Sequence, residues 1–184
     1  MRWRDWARRA GCFLAVVPLT GWLLLGTGPA KAETTAKDIQ VMLKTIGFLT
    51  SKPRGAVTVA VIFDPANAES RKDGESIKAF LDAASGLAIV PVAKLVGLDQ
   101  LNGVDGPAAV IAAGVAGPGL DAVIEAVKGR NVLTISTDPA CARTGKCVMS
   151  IHAEPSVEIL FNAAAARASG VEFLPNFRMM ITQV

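Results

Sequence analysis

The sequence predicts an α/β fold, a single-domain three-layer sandwich whose sheet is mostly parallel and ends in a C-terminal antiparallel hairpin and a closing helix. Three observations predict it. Short, nearly continuous apolar runs such as "AVTVAVIF" (56–63) have the composition of strands buried on both faces. These runs alternate with stretches of helical spacing, the order of a parallel sheet with right-handed crossovers. After residue 146 the order changes, and two short strand-like runs follow each other with only Glu154-Pro155-Ser156 between them.

In chain order, Ile39, Met42, Leu43 and Ile46 fall at i, i+3, i+4 and i+7, which predicts an opening helix over 35–48. The strand at 56–63 follows, and "DPANAES" interrupts the pattern after it. Ile77, Phe80, Leu81 and Ala84 then restore helical spacing, with Gly86 as the stop. "AIVPV" (88–92) is the next strand, and the donor missing at Pro91 places it at a sheet edge. "AAVIAA" (108–113) is a third strand. After "GVAGPG" comes a helix with Leu120, Val123, Ile124 and Val127 on one face, Pro118 near its start and Gly129 past its end. "NVLTIS" (131–136) is a fourth strand. "CVMSIHA" (147–153) and "VEILF" (157–161) form the hairpin, "AAAARASG" a short helix with a glycine stop. Phe177, Met180, Ile181 and Val184 make the apolar stripe of a closing helix started by Pro175.

The first 32 residues stand apart from this domain. Arg2, Arg4, Arg8 and Arg9 precede an apolar stretch from Ala10 to Gly26, and Ala30-Lys31-Ala32 fits the small-x-small cleavage rule. We therefore expect residues 1–32 to be a cleaved signal peptide and 33–184 to be the mature domain, exported and without stable membrane insertion. Pro18, Gly21 and the cleavage pattern oppose a permanent anchor. Arg8-Arg9 sits in a poor context for a twin-arginine signal, and Cys12 precedes the apolar run instead of marking a lipoprotein cleavage point.

Removing this segment changes the charge. The chain has 19 Lys+Arg and 16 Asp+Glu; five cations (Lys31 and the four arginines) and Asp5 leave with it, so 14 cations face 15 anions. No basic stripe remains to hold nucleic acid. Trp3, Trp6 and Trp22 also leave, and the chain has no Tyr, so the mature protein should absorb very weakly near 280 nm.

Candidate chemistry is sparse. His152 is the one histidine, with no nucleophile elbow to serve it, and reads as structural or surface. Asp64, Glu69 and Asp73 cluster after the first strand, where α/β proteins bind ligands; solvated loop carboxylates are the plainer reading. "GVAGPG", with Gly114 and Gly117, could cradle an anion at a helix start, or form no more than a tight turn. It lacks the lysine and hydroxyl of a P-loop. The pattern therefore predicts neither an enzyme nor a cofactor. Cys141 and Cys147 have too few neighbouring ligands for zinc, and their spacing is not the C-x-x-C of redox sites. Two mature cysteines in an exported chain favour a disulfide.

"NVLTISTDPACARTGKCVMSI" and "VEILFNAAAARASGVEFLPNFRMMI" resemble the C-terminal half of the YfiR/HmsC family of periplasmic proteins. Leu133, Thr134, Ser136, Gly145, Asn162, Ala164 and Gly170 carry the match. Two features depart from the family pattern: no Trp follows the opening helix, and Ile159 stands in a Phe position. The resemblance implies a non-enzymatic periplasmic regulator that binds a membrane-bound signalling protein such as a diguanylate cyclase, lowers cyclic di-GMP and forms homodimers. It also implies a redox-tuned disulfide and a C-terminal contact surface, with Phe161, Asn162 and Phe177 as its candidates. "VAVIFDPANAES" is similar instead to one lobe of ABC-type solute-binding proteins. That alternative implies a ligand-facing loop carrying Asp64, Asn67 and Ser70.

Overall fold

The structure is a computed structural model, and it describes residues 33–103 and 109–184. The expected signal peptide lies outside these residues. Nine residues, Gly55–Phe63, form strand β1. It lies inside the sheet because Val59, Val61 and Phe63 face one apolar layer while Ala60 and Ile62 face the other. Helix α1 (Ala36–Ile46) precedes it and helix α2 (Ala68–Ala83) follows. Strand β2 (Ile89–Gly97) pairs parallel to β1 through its full length and is the edge that Pro91 predicts. A 3-10 segment, Leu98–Gly103, leads toward β3 (Ala109–Ala113). Then come α3 (Pro118–Val127), β4 (Leu133–Ser136), α4 (Pro139–Arg143) and the antiparallel pair β5 (Met149–His152) and β6 (Glu158–Phe161). Helices α5 (Ala163–Ser169) and α6 (Pro175–Arg178) and strand β7 (Thr182–Gln183) close the chain.

The seven strands run in the order β2-β1-β3-β4-β5-β6-β7, parallel except for β5 against β6. The predicted α/β sandwich is thus the observed architecture. One layer joins α1 and α2 to the sheet through Ile39, Met42, Leu43, Ile46, Ile77 and Leu81. The other packs α3 and α4 through Leu120, Val123, Val127, Cys141 and Ala142. α1 is anchored at its start by a capping box in which Thr35 and Asp38 serve each other's backbone N–H. The second oxygen of the fully buried Asp38 accepts the Ala153 N–H at 2.6 Å, which ties this helix to the end of β5.

One element is added and one differs. Between β4 and β5, Asp138 caps α4 and Pro139 starts it, so Cys141 lies on a short helix. The closing helix is one turn only. Phe177 is buried, but Met180 and Val184 are exposed, and the backbone turns instead to pair with the open edge of β6. There the Val184 N–H reaches the Phe161 carbonyl at 3.0 Å.

Candidate functional site

β1 and β3 are neighbours in the sheet, yet the chain leaves them in opposite directions. From β1 it passes through α2 outward to β2; from β3 it passes through α3 to β4 on the other side. α2 packs in one apolar layer and α3 in the other. A crevice must open between their starts, outside the carboxyl ends of the strands, and this is where α/β sheets bind ligands.

A cleft of about 180 Å³ lies there, lined by Glu33, Asn67, Glu69, Ser70, Asp73, Gly114 and Thr137. Its floor is built by Ser70. That hydroxyl donates to the Ala113 carbonyl at 2.5 Å and accepts the Asp64 N–H at 2.8 Å, so it stitches the start of α2 to the ends of both strands. Gly114 follows with φ +58°, and a Cβ there would stand 3.3 Å from the Ser70 Cα. Glycine is what lets strand end and helix start come this close.

Much of the loop's polarity is already engaged. Asn67 caps α2 by accepting from the Glu69 and Ser70 N–H groups, and Asp64 accepts the Ala66 N–H at 2.9 Å. Glu33, Asn67, Glu69 and Asp73 line the opening with Thr137 at the end of β4, and the Asp73 carboxylate is itself engaged, accepting the Thr34 N–H and hydroxyl. The Lys72 ammonium hydrogen-bonds Glu33 at 2.7 Å and holds its carboxyl below the usual range, while Glu33 raises Lys72. The lining carries three carboxylates, with Glu33 paired to Lys72 and Asp73 accepting from Thr34, and this gives the mouth an acidic character. A small ligand with a cationic or amine group suits that field, and the volume lies below the ~300 Å³ floor of drug-sized sites.

The residues singled out in the sequence separate into three groups. Asn67, Ser70 and Gly114 meet at the cleft, and Asp64 stands behind them through its bond to Ser70. Gly117, with φ +55°, caps α3 and is not among the lining residues. Phe161, Asn162 and Phe177 are corrected from surface to interior. Phe161 meets Phe173 edge-on, and Phe177 stacks on Phe48 at 4.7 Å. Asn162 caps α5 and donates to the Ala142 carbonyl at 2.9 Å. Side chains buried in this way offer no partner surface. Thr137 and Glu33 escaped the sequence reading. Thr137 follows a predicted strand and the carboxyl-end rule could have found it; nothing local marks Glu33.

Cys141 and Cys147 sit at disulfide distance, with Cα atoms 5.4 Å apart, and both are buried. Ser150 holds the same loop: its hydroxyl accepts the Ala142 N–H at 3.1 Å and donates to the Asp138 carbonyl at 2.7 Å. His152 is half-buried on β5 opposite Glu158 and is not among the residues lining the cleft. Among the described residues, no cluster of three metal-ligating side chains is present and no helix is long and apolar enough to cross a membrane.

No protein-family model matches the chain, and no curated protein matches its sequence. Its fold is shared with solved structures. One is an ABC domain in complex with L-Trp from Streptococcus pneumonia, at 13% identity and a TM-score of 0.56. Another is a conserved domain protein from Vibrio cholerae, at 11% identity and a TM-score of 0.54. Each match covers 80% of this chain and 60% of the other, so the chain spans about three-fifths of the length of the structures it resembles.

Proposed function

We propose that this chain is an exported, non-catalytic binding protein that holds a small amine-bearing solute in the cleft at the carboxyl ends of β1, β3 and β4. The observation that carries the proposal is the coincidence of the "DPANAES" loop with the switch point of the sheet. There Asn67, Thr137 and three carboxylates line one small opening. The L-Trp held by the structural neighbour makes free amino acids the first solutes to test. The cleft is open on one side, which fits a single lobe acting with a transporter or with a second domain to enclose its ligand.

A thermal-shift panel of L-amino acids and small amines, led by L-tryptophan, tests this reading. A ligand at about a hundred times its Kd stabilises by about 2.7 kcal/mol, several degrees in a domain of this size. Asn67→Ala and Thr137→Ala should abolish the shift. A panel without any shift, or a shift that survives both substitutions, would sink the proposal. The YfiR-like regulatory reading rested partly on a C-terminal contact surface, and with Phe161 and Phe177 in the core that support is gone.

A further inference from the structure

A second recess, of about 460 Å³, lies where the chain enters β1 and β4, at the opposite ends of these strands from the cleft. Its volume falls within the ~300–1,000 Å³ range of small-molecule sites. The buried Leu49 and Val171 supply its apolar lining. Three segments distant in sequence build the wall and are bound to one another. The Thr50 N–H donates to the Glu172 carbonyl at 2.9 Å, and the Thr50 hydroxyl donates to the same oxygen at 3.3 Å. The Asn131 N–H donates to the Ser169 carbonyl at 3.0 Å. A Cβ at Gly170 would stand 2.5 Å from Asn131 Oδ1, so the amide of the exposed Asn131 is seated against the Gly170 backbone. Lys52 and Asn131, with φ of +46° and +58°, are the two non-glycine residues with positive φ among the described residues. One follows the lining residue Ser51 and the other stands in the wall. Backbone of this kind persists where its surroundings over-determine it, and such positions cluster at ligand clamps.

We propose that this recess binds a neutral sugar, with a vicinal diol of the ligand on the Asn131 amide. A carboxamide presents a donor and an acceptor side by side, and adjacent hydroxyls answer both, since each gives one proton and accepts at its lone pairs. The Thr50 hydroxyl has given its proton to Glu172, which leaves its oxygen to accept. The Ser51 hydroxyl gives and accepts, and an ionised Glu172 carboxylate only accepts. Other ligand classes leave part of this set unmet. An anion would meet Glu172, the one charged residue in the lining. An ammonium group has no lone pair for the amide donors. An apolar molecule would strip water from the polar groups without replacing their hydrogen bonds. No aromatic residue lines the recess, so recognition rests on hydrogen bonds without stacking, and the expected Kd is on the order of 1 mM. The inference concerns the other end of the sheet and does not depend on amine binding in the cleft.

Titration of the isotope-labelled protein with D-glucose, D-galactose and sucrose, followed by NMR, tests it. For at least one sugar, the backbone amide resonances of Thr50, Ser51, Gly170 and Glu172 should move and saturate. Asn131→Gly keeps a residue suited to positive φ and removes the amide. It should melt with the parent protein and bind the same sugar about tenfold more weakly. Glu172→Gln, at an exposed position, should weaken binding by a similar factor and decides the matter if the first variant does not fold. No saturating shift with any of the three sugars, or shifts confined to residues outside the recess, overturns the proposal. So does undiminished binding by the folded variants.

Discussion

Asp38 and Gly114 show how single residues set this structure. Asp38 is fully buried, and its two oxygens accept from Thr35 and from Ala153. Asp38→Asn turns one acceptor into a donor facing donors, so we expect a loss of about 2–4 kcal/mol in urea denaturation, as for a buried polar group left unsatisfied. Gly114→Ala should destabilise by about 1–3 kcal/mol in the same assay, because it adds positive-φ strain and a close contact with the Ser70 backbone. Gly114 stands out in the sequence within "GVAGPG", whereas the burial of Asp38 does not. The capping pattern of Thr35 and Asp38 is local, but the bond to Ala153 spans 115 residues and no short window contains it. For the cleft the division is similar. Asn67 and Ser70 are legible because a strand-end loop announces itself, whereas Glu33 joins them only through the docking of α1 on α2.

At the scale of elements, local signals succeeded where enough residues shared one period. The buried strands 56–63 and 108–113 and the helices α1 and α3 all emerge within a few residues of their predicted bounds. α4 has five residues, too few for a repeat, and its only signal was Asp138-Pro139 at the cap. The stripe through Phe177, Met180, Ile181 and Val184 has a helix period, yet hydrogen bonding to the free edge of β6 satisfies the last residues as a strand. The Cys141–Cys147 connection belongs to this scale because it closes α4 onto the start of β5. Cys141→Ser with Cys147→Ser should lower stability by about 2 kcal/mol, measured against the oxidised protein, as the chain-entropy account gives for so short a loop. The fold should survive, since the Ser150 and Asn162 hydrogen bonds still hold α4.

For the whole molecule, the connection from β2 to β3 sets what is covered. Its described part is the 3-10 turn Leu98–Gly103 rather than a long helix. On the α3 side of β2, Val90 and Val92 are 62% and 46% exposed. Their replacement together by Thr should change the melting temperature by less than about 2 °C, since exposed positions usually contribute within ±0.5 kcal/mol. A larger loss would mean that something covers this face in solution. The same sheet order, which reverses direction between β1 and β3, also creates the cleft. The site is therefore a product of topology, with side chains only tuning what it accepts.

By itself the sequence determined the α/β class, the parallel core, the antiparallel hairpin and the edge position of β2. Each of these follows from apolar periodicity or from a missing proline donor, and both act over a few neighbouring residues. Tertiary structure alone decided that Phe161, Asn162 and Phe177 are interior, that the chain ends in a strand, and that Glu33 and Thr137 share a cleft with Asn67 and Ser70. Those outcomes depend on which strand lies beside which, and strand order is set by long-range packing that no local window records.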